Sequence, residues 1–212
     1  MGECHLCHSM KNMQYKNIIF DLGGVIVDID PAKSYTALAN LAPQPLPQEE
    51  FLLAHEQIFL DYEKGTISSE AFREGLRKVL KCTVTDADLD CAWNSMLLHV
   101  PPERLQLLEK LKNRYKLYVL SNTNEIHVPA FNKIVEMVSG KGDIAHFFHN
   151  VHYSHLMRMR KPEPQIYQTV LEINCLTPKD TLFVDDRLEN ILAAQEVGIH
   201  TFHVTGNRGI LE

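Results

Sequence analysis

The sequence predicts an α/β fold: a parallel sheet with helices on both faces, interrupted by one all-helical insertion. Three observations lead there. Short apolar runs recur at Asn17-Ile18-Ile19-Phe20, Leu117-Tyr118-Val119-Leu120 and Thr181-Leu182-Phe183-Val184, each bounded by polar or turn residues. That is the pattern of strands buried on both faces. Helical periodicity separates the later runs, and alternation of strand and helix implies parallel pairing. From residue 31 to about 100 no convincing strand pattern occurs.

The elements follow in order. The first strand ends at Asp21, and Gly23-Gly24 then allow a sharp turn or a close approach to a ligand. Asp30-Pro31 reads as a helix start, with Asp as N-cap and Pro at the first helical position. A helix from Gln48 to near Gly65 carries Phe51, Leu52, Ile58 and Phe59. Ser68-Ser69-Glu70 opens another, with Phe72, Leu76, Val79 and Leu80 at helical spacing. Thr85-Asp86-Ala87-Asp88 opens a third, expected to run through Trp93 and Leu97. Pro101-Pro102 then starts a helix with Leu105, Leu108 and Leu111. The strand 117–120 ends in Ser121-Asn122-Thr123-Asn124, and a short strand is expected near Val151-His152-Tyr153. Pro162 is expected to open a helix through Ile166, Val170 and Leu171. The strand 181–184 ends in Asp185-Asp186, and a helix from Leu188 to Val197 stops at Gly198. A strand from Ile199 to Val204 closes the pattern. The division is thus 16–30 plus 101–212 as an α/β core, 31–100 as a helical cap, and 1–15 as a flexible N-terminal segment.

Composition sets bounds on function. The 212 residues can bury a substantial core. A net charge of −6, with no basic run, gives no footprint for nucleic acid or an anionic membrane surface. No apolar stretch reaches membrane-spanning length, and the N-terminus lacks the apolar core of a signal peptide. Five scattered cysteines suit a reducing compartment, so a cytoplasmic location is expected. Cys4-His5-Leu6-Cys7-His8 matches a haem-attachment spacing and offers metal ligands, but a frayed terminus accounts for it.

The chemistry lies at the strand ends. Carboxyl ends of parallel strands share one sheet edge, so Asp21, Ser121-Asn122-Thr123 and Asp185-Asp186 can converge. Lys161 lies within reach of the same edge. Clustered carboxylates repel one another unless a cation is present. An oxygen-only donor set with few ligands suits Mg²⁺, which shares its shell with water and a substrate phosphate. Lys161 supplies a compact positive charge, and Ser121 and Asn122 supply hydrogen bonds to phosphate oxygens.

These residues fall into four ordered motifs: Phe20-Asp21-Leu22-Gly23-Gly24-Val25 with Asp28; Val119-Leu120-Ser121-Asn122; Lys161-Pro162; and Phe183-Val184-Asp185-Asp186 with Asn190. In them the chain resembles the haloacid dehalogenase-like (HAD) superfamily over residues 16–205. Within that superfamily it is most similar to the bacterial α-glucose-1-phosphate phosphatase branch and to the phosphatase domains of soluble epoxide hydrolases. The resemblance implies a Rossmann-like core with a small α-helical cap and a Mg²⁺-dependent phosphatase acting through an aspartyl-phosphate. It implies Asp21 as nucleophile, Lys161 as its neutralising partner, and Ser121, Asn122 and Lys161 as phosphate-binding residues. It also implies Asp21, the Gly23 carbonyl and Asp186 on the metal, with Asp185 as ligand or water-mediated partner. The substrate class it implies is a small phosphate monoester, foremost a sugar phosphate. Oligomeric state is left open.

One position departs from the family. Most of its phosphatases carry a second Asp two residues after the nucleophile, as general acid and base, and here that position is Gly23. Leaving groups that need little protonation, such as an anomeric or aryl oxygen, are therefore expected to be favoured. Asp28 is expected to order the turn between core and cap. Two rivals remain. A metal-independent haloacid dehalogenase also lacks the second Asp but has no need of Asp185-Asp186. A non-catalytic binding or regulatory protein of the same fold rests on Gly23 alone.

Smaller signals stay bland. His146, His149, His152 and His155 recur every third residue across a helix-to-strand boundary, so a shared metal face is not expected. Trp93 and Tyr62 are expected in the packing of the insertion, and Met157 and Met159 in packing or loops. Glu63, Lys64 and Thr66 lie near a cap turn where substrate contacts are open to them. Cys82, Cys91 and Cys175 have no base paired to them by any pattern.

Overall fold

The computed structural model describes residues 15–44, 48–206 and 208–211, with residues 48–55 as backbone only. The Cys4–His8 cluster lies outside the described residues.

Five parallel strands form one sheet: β1 (Asn17–Phe20), β2 (Lys116–Ser121), β3 (Asn150–Tyr153), β4 (Thr181–Asp185) and β5 (His200–His203), in the order β3-β2-β1-β4-β5. Side chains of a strand alternate between faces, and the core follows that period. Ile18, Phe20, Leu117, Val119, Leu182 and Val184 enter one apolar cluster, while Ile19, Tyr118, Leu120 and Phe183 enter another. Helices α5 (Pro102–Lys112) and α6 (His127–Ser139) cover the first face, through Leu105, Leu108, Phe131 and Val135. Helices α8 (Pro164–Ile173) and α9 (Leu188–Glu196) cover the second, through Ile166, Tyr167, Ile191 and Ala194, and a short α7 (Ser154–Met157) follows β3.

The stretch between β1 and β2 is helical where expected. Helix α1 (Pro31–Ala39) starts on Asp30, whose carboxylate accepts from the Ala32 N–H at 3.1 Å. Helix α2 (Gln48–Glu63) is followed by α3 (Ser69–Leu80), capped by Ser68, and α4 (Asp86–Asn94), which opens with a Thr85–Asp88 capping box. Leu38, Phe59, Tyr62, Phe72, Leu76, Leu89 and Trp93 form a third apolar cluster, joined by Ile126 from the stretch after β2. Trp93 and Tyr62 are thus packing residues.

Two boundaries differ from expectation. Helix α4 stops at Asn94 because the following residues are drawn into extended pairing. Asp30 N donates to Met96 O, Leu98 N to Asp28 O, and Asp28 N to His99 O, each at 2.9 Å. The insertion therefore leaves and returns through adjoining backbone, with Ile29 bridged to Leu97. Helix α8 begins at Pro164 rather than Pro162, because Lys161 is pinned by Asn122 and the chain first turns through Glu163 N to Arg160 O at 3.0 Å. The Lys161–Pro162 peptide is cis.

At the seam between insertion and sheet, His127 stacks on Trp93 with ring centroids 4.9 Å apart, and its Nδ1 lies 2.8 Å from Asn94 Oδ1. Burial pushes the His127 imidazole down to about 3. The unfolded chain therefore takes up a proton below about pH 6.5 that the fold refuses, and stability falls as pH falls through that window. At pH 5 the expected loss is about 2 kcal/mol. Urea unfolding of wild type and His127→Gln at pH 7 and 5 checks it. Wild type should lose more, and equal losses would remove His127 as the cause.

Candidate active site

The sheet register brings the chemistry together. Phe20 is paired with Val119 on one side and Val184 on the other. One residue on, Asp21 is level with Asp185, and Ser121 lies one step further out. The Asp21 N–H donates to Val184 O at 2.9 Å, which extends the β1–β4 ladder to Asp21.

Lys161 joins two of these ends. Its Nζ lies 2.7 Å from Asp21 Oδ1 and 2.6 Å from Asp185 Oδ2, with only 1% of the side chain exposed. Burial pulls the Lys161 ammonium down, but the charges of Asp185 and Asp21 outweigh it and hold its pKa above the ordinary value. Burial pushes the Asp21 carboxyl up, to about 7; Lys161 opposes the rise, and Asp185 and Asp186 add to it. Asp186 is raised too, by burial and then by the charge of Asp185. Three carboxylates thus crowd one ammonium, and the surplus is negative.

The two acids of the fourth motif have different surroundings. Asp185 is fully buried and engaged on both oxygens. Besides Lys161 it accepts from Asn190 Nδ2 at 3.0 and 3.1 Å and from the Arg187 N–H at 2.8 Å. Both oxygens are thus spent on neighbouring groups of the chain, and Asp185 holds Lys161 in place. Asp186 makes no ion pair among the described residues. It opens onto a cavity of about 560 Å³ that Gly24, Asp28, His99 and His203 also line. Gly24 has φ +72°, and a Cβ there would collide with the Asp186 carboxylate, so glycine is needed for both conformation and space.

Gly23 is different. Its φ is not positive, and a Cβ there would meet only the flexible end of Ile29, Cδ1 at 2.8 Å. Backbone geometry therefore does not impose the loss of the family's second acid. The N–H groups of the turn 24–27 go to Leu22 O and Val27 O, leaving the Gly23 carbonyl outside that network.

Ser121 and Asn122 also part company. The Ser121 hydroxyl and Asp21 Oδ2 have no hydrogen-bond partner among the described residues. Asn122 is committed: its Nδ2 donates to Lys161 O and its Oδ1 accepts from Lys161 N, both at 2.9 Å. Its side chain positions Lys161.

Asp28 orders the turn as expected. It pairs with Arg104, 2.7 Å away and almost fully buried, and lies 3.0 Å from His99 Nε2. The four periodic histidines do not converge: His149 accepts from Leu117 N, His152 meets Asn174, His155 meets Thr123 O and His146 meets Asp143 O. Among the described residues no set of three or more His, Cys, Asp or Glu groups is placed to hold a metal. Two carboxylates, Asp21 and Asp186, and one carbonyl suit an ion that takes few protein ligands, as Mg²⁺ does. Sequence reasoning passed over Arg160, which pairs with Glu63 across the seam; its one signal was adjacency to Lys161.

Residues 15–198 match the family model of haloacid dehalogenase-like hydrolases. The chain belongs to that family. The hydrolase is 31% identical to a D-ribitol-5-phosphate phosphatase of Bacteroides thetaiotaomicron over 187 residues, 88% of this chain and 90% of that protein. It is 27% identical to a sesquiterpene phosphatase of Aspergillus oryzae over 193 residues, 90% of each chain. A solved HAD-family enzyme of B. thetaiotaomicron, in complex with magnesium and inorganic phosphate, superposes with TM-score 0.82 at 38% identity. That match covers 89% of this chain and 93% of that one. These relatives do not confirm the finer resemblance to the glucose-1-phosphate and epoxide-hydrolase branches. With phosphatases among its similar proteins, the hydrolase is a phosphoric monoester hydrolase.

Proposed function

We propose that the hydrolase is a Mg²⁺-dependent phosphatase that moves the phosphoryl group of a small sugar phosphate to Asp21 and then to water. The observation that carries this is the surplus of carboxylates around Lys161, beside two oxygens without a partner among the described residues, Asp21 Oδ2 and Ser121 Oγ. A dianionic phosphate adds further negative charge, which one lysine does not balance. Asp21, Asp186 and the Gly23 carbonyl would hold the metal; its chemistry there is neutralisation of phosphoryl charge.

The chain's own residues carry the rest. Lys161 fixes Asp21 through Oδ1 and favours its ionised form against the effect of burial, which leaves Oδ2 to attack phosphorus. The bond formed is Asp21 Oδ2 to phosphorus, and the bond broken is phosphorus to the leaving oxygen. Ser121 Oγ donates to a phosphoryl oxygen. Asp185 and Asn122 hold Lys161 from its two ends. Water then attacks phosphorus, releasing phosphate and restoring Asp21. The helices of residues 31–100 act as a cap over this edge, and a soluble small-molecule ester is the partner. A metal-free dehalogenase would leave Asp186 without a role.

A phosphate-release screen over sugar, polyol and aryl phosphates, with Mg²⁺ or with EDTA, tests the assignment. Turnover should require Mg²⁺. Absence of metal-dependent release on every ester would return the chain to the binding-protein alternative.

The leaving-group preference has its own test. Gly23→Asp restores a carboxyl where Ile29 can give way. Hydrolysis of a simple alkyl phosphate should rise about tenfold or more, with p-nitrophenyl phosphate changing far less. An equal response of both esters would contradict a missing proton donor.

A further inference from the structure

Arg104, in the first turn of α5, is a cation with only 1% of its surface exposed, and it takes no part in the chemistry above. Its guanidinium joins two distant stretches of chain. Nη1 lies 2.7 Å from Asp28 Oδ1 and donates to Ile26 O at 3.1 Å, while Nε donates to Arg208 O at 3.1 Å. Residues 208–211 close on the same turn from the other side. Ile210 N donates to Val25 O at 3.1 Å, and its side chain is buried in the apolar cluster that also holds Leu22, Val25 and Ile26. A Cβ on Gly209 would collide with both Val25 O and the Arg104 guanidinium.

The turn held in this way carries the Gly23 carbonyl. Gly23 is bridged to Val27, and Gly24 N donates to Val27 O at 2.8 Å, so the far leg of the turn sets where the near leg stands. Gly24 itself abuts the Asp186 carboxylate. Contacts therefore run from Arg104 through Ile26 and Val27 to the Gly23 carbonyl and on to Asp186. A buried cation is costly to keep, and an apolar side chain of like volume would fill the same space without that cost. It would lack the planar fork that fixes a carboxylate and two carbonyls in one geometry.

We infer that Arg104 is a positioning residue for the metal: with residues 208–211 it holds the turn 23–27 so that the Gly23 carbonyl and Asp186 present to Mg²⁺ together. The inference rests on the Mg²⁺-dependent assignment above and deepens it. Without the fork, binding of the ion would have to order the turn, and that cost would be subtracted from Mg²⁺ affinity.

The test uses the full chain, with Mg²⁺ binding measured by isothermal titration calorimetry and p-nitrophenyl phosphate turnover followed across Mg²⁺ concentrations. Arg104→Gln should raise the Mg²⁺ Kd about 10- to 100-fold, with much of the lost turnover recovered at saturating Mg²⁺. Arg104→Lys keeps the charge but not the fork and should fall between wild type and Arg104→Gln. Gly209→Ala disturbs the same turn from the C-terminal side with Arg104 intact, and should weaken Mg²⁺ binding as well. Leu108→Ala removes a buried side chain of the same helix and is the structural control. It should lower the melting temperature yet leave the Mg²⁺ Kd within about threefold. An unchanged Kd in Arg104→Gln and Gly209→Ala, or equal weakening by Leu108→Ala, would make Arg104 a purely structural residue and overturn the inference. If Arg104→Gln does not fold, Arg104→Lys and Gly209→Ala decide by the same comparison. Wild type that neither binds Mg²⁺ nor requires it for turnover would remove the metal assignment itself, and the inference with it.

Discussion

Asp21→Asn is expected to cut phosphate release by at least about 10³-fold while leaving the fold as stable as wild type or more so. The two halves of this result have separate causes. An amide has no carboxylate oxygen to attack phosphorus, so the covalent route closes. The stability expectation comes from the surroundings. Asp21 is buried, and its ionised form faces Asp185 and Asp186 with one shared lysine. Removing its charge relieves that crowding, while Lys161 keeps its 2.6 Å partner in Asp185. Mg²⁺ should raise the melting temperature of wild type, since a ligand bound only by the folded chain stabilises it. The variant should gain less. Colorimetric phosphate release and thermal unfolding with and without Mg²⁺ check the prediction. Retention of more than a few per cent of activity would dismiss Asp21 as nucleophile.

Lys161→Met is expected to abolish activity and to damage the fold as well. Met matches the length of the side chain but leaves two buried carboxylates without their cation. Breaking a buried pair from one side costs about 3–5 kcal/mol. For a domain of this size that corresponds to a fall in melting temperature of roughly 6–20 °C. The deficit should shrink as pH falls, because protonation of the raised Asp21 carboxyl removes a charge that Lys161 had balanced. Adding Asp185→Asn to Lys161→Met should recover part of the stability and none of the activity. Differential scanning calorimetry on the two single variants and the double variant separates these terms. Additive losses in the double variant would show that Lys161 and Asp185 are not coupled.

How much of this was legible beforehand follows from the range of each interaction. The strands were legible because alternation along a few residues decides which face is buried. Helix starts at Asp30, Ser68 and Thr85 were legible because a cap acts over three residues. The convergence of Asp21, Ser121, Lys161 and Asp185 was legible from parallel topology and four ordered motifs. Occupancy was not. Nothing in Asp185-Asp186 announces that the first acid is enclosed by Lys161, Asn190 and a backbone N–H while the second stays open. Likewise Asn122 looked like a phosphate ligand beside Ser121, and only the fold shows its amide spent on Lys161. The Glu63–Arg160 pair spans 97 residues and has no local signature. Gly23 was read as suiting a turn, yet the positive φ belongs to Gly24 alone. A doublet of glycines does not say which member the backbone requires.

The helical insertion departs after Asp28 and comes back at His99 along touching backbone. To the sheet, everything between those residues is a detour that begins and ends at one place. Its length and content can change without shifting β1 against β2, because neither strand needs to move to close the gap. The catalytic edge and the segment above it are then separable inheritances. One can be held fixed while the other is lengthened, shortened or exchanged whole, like a fitting on a common mount.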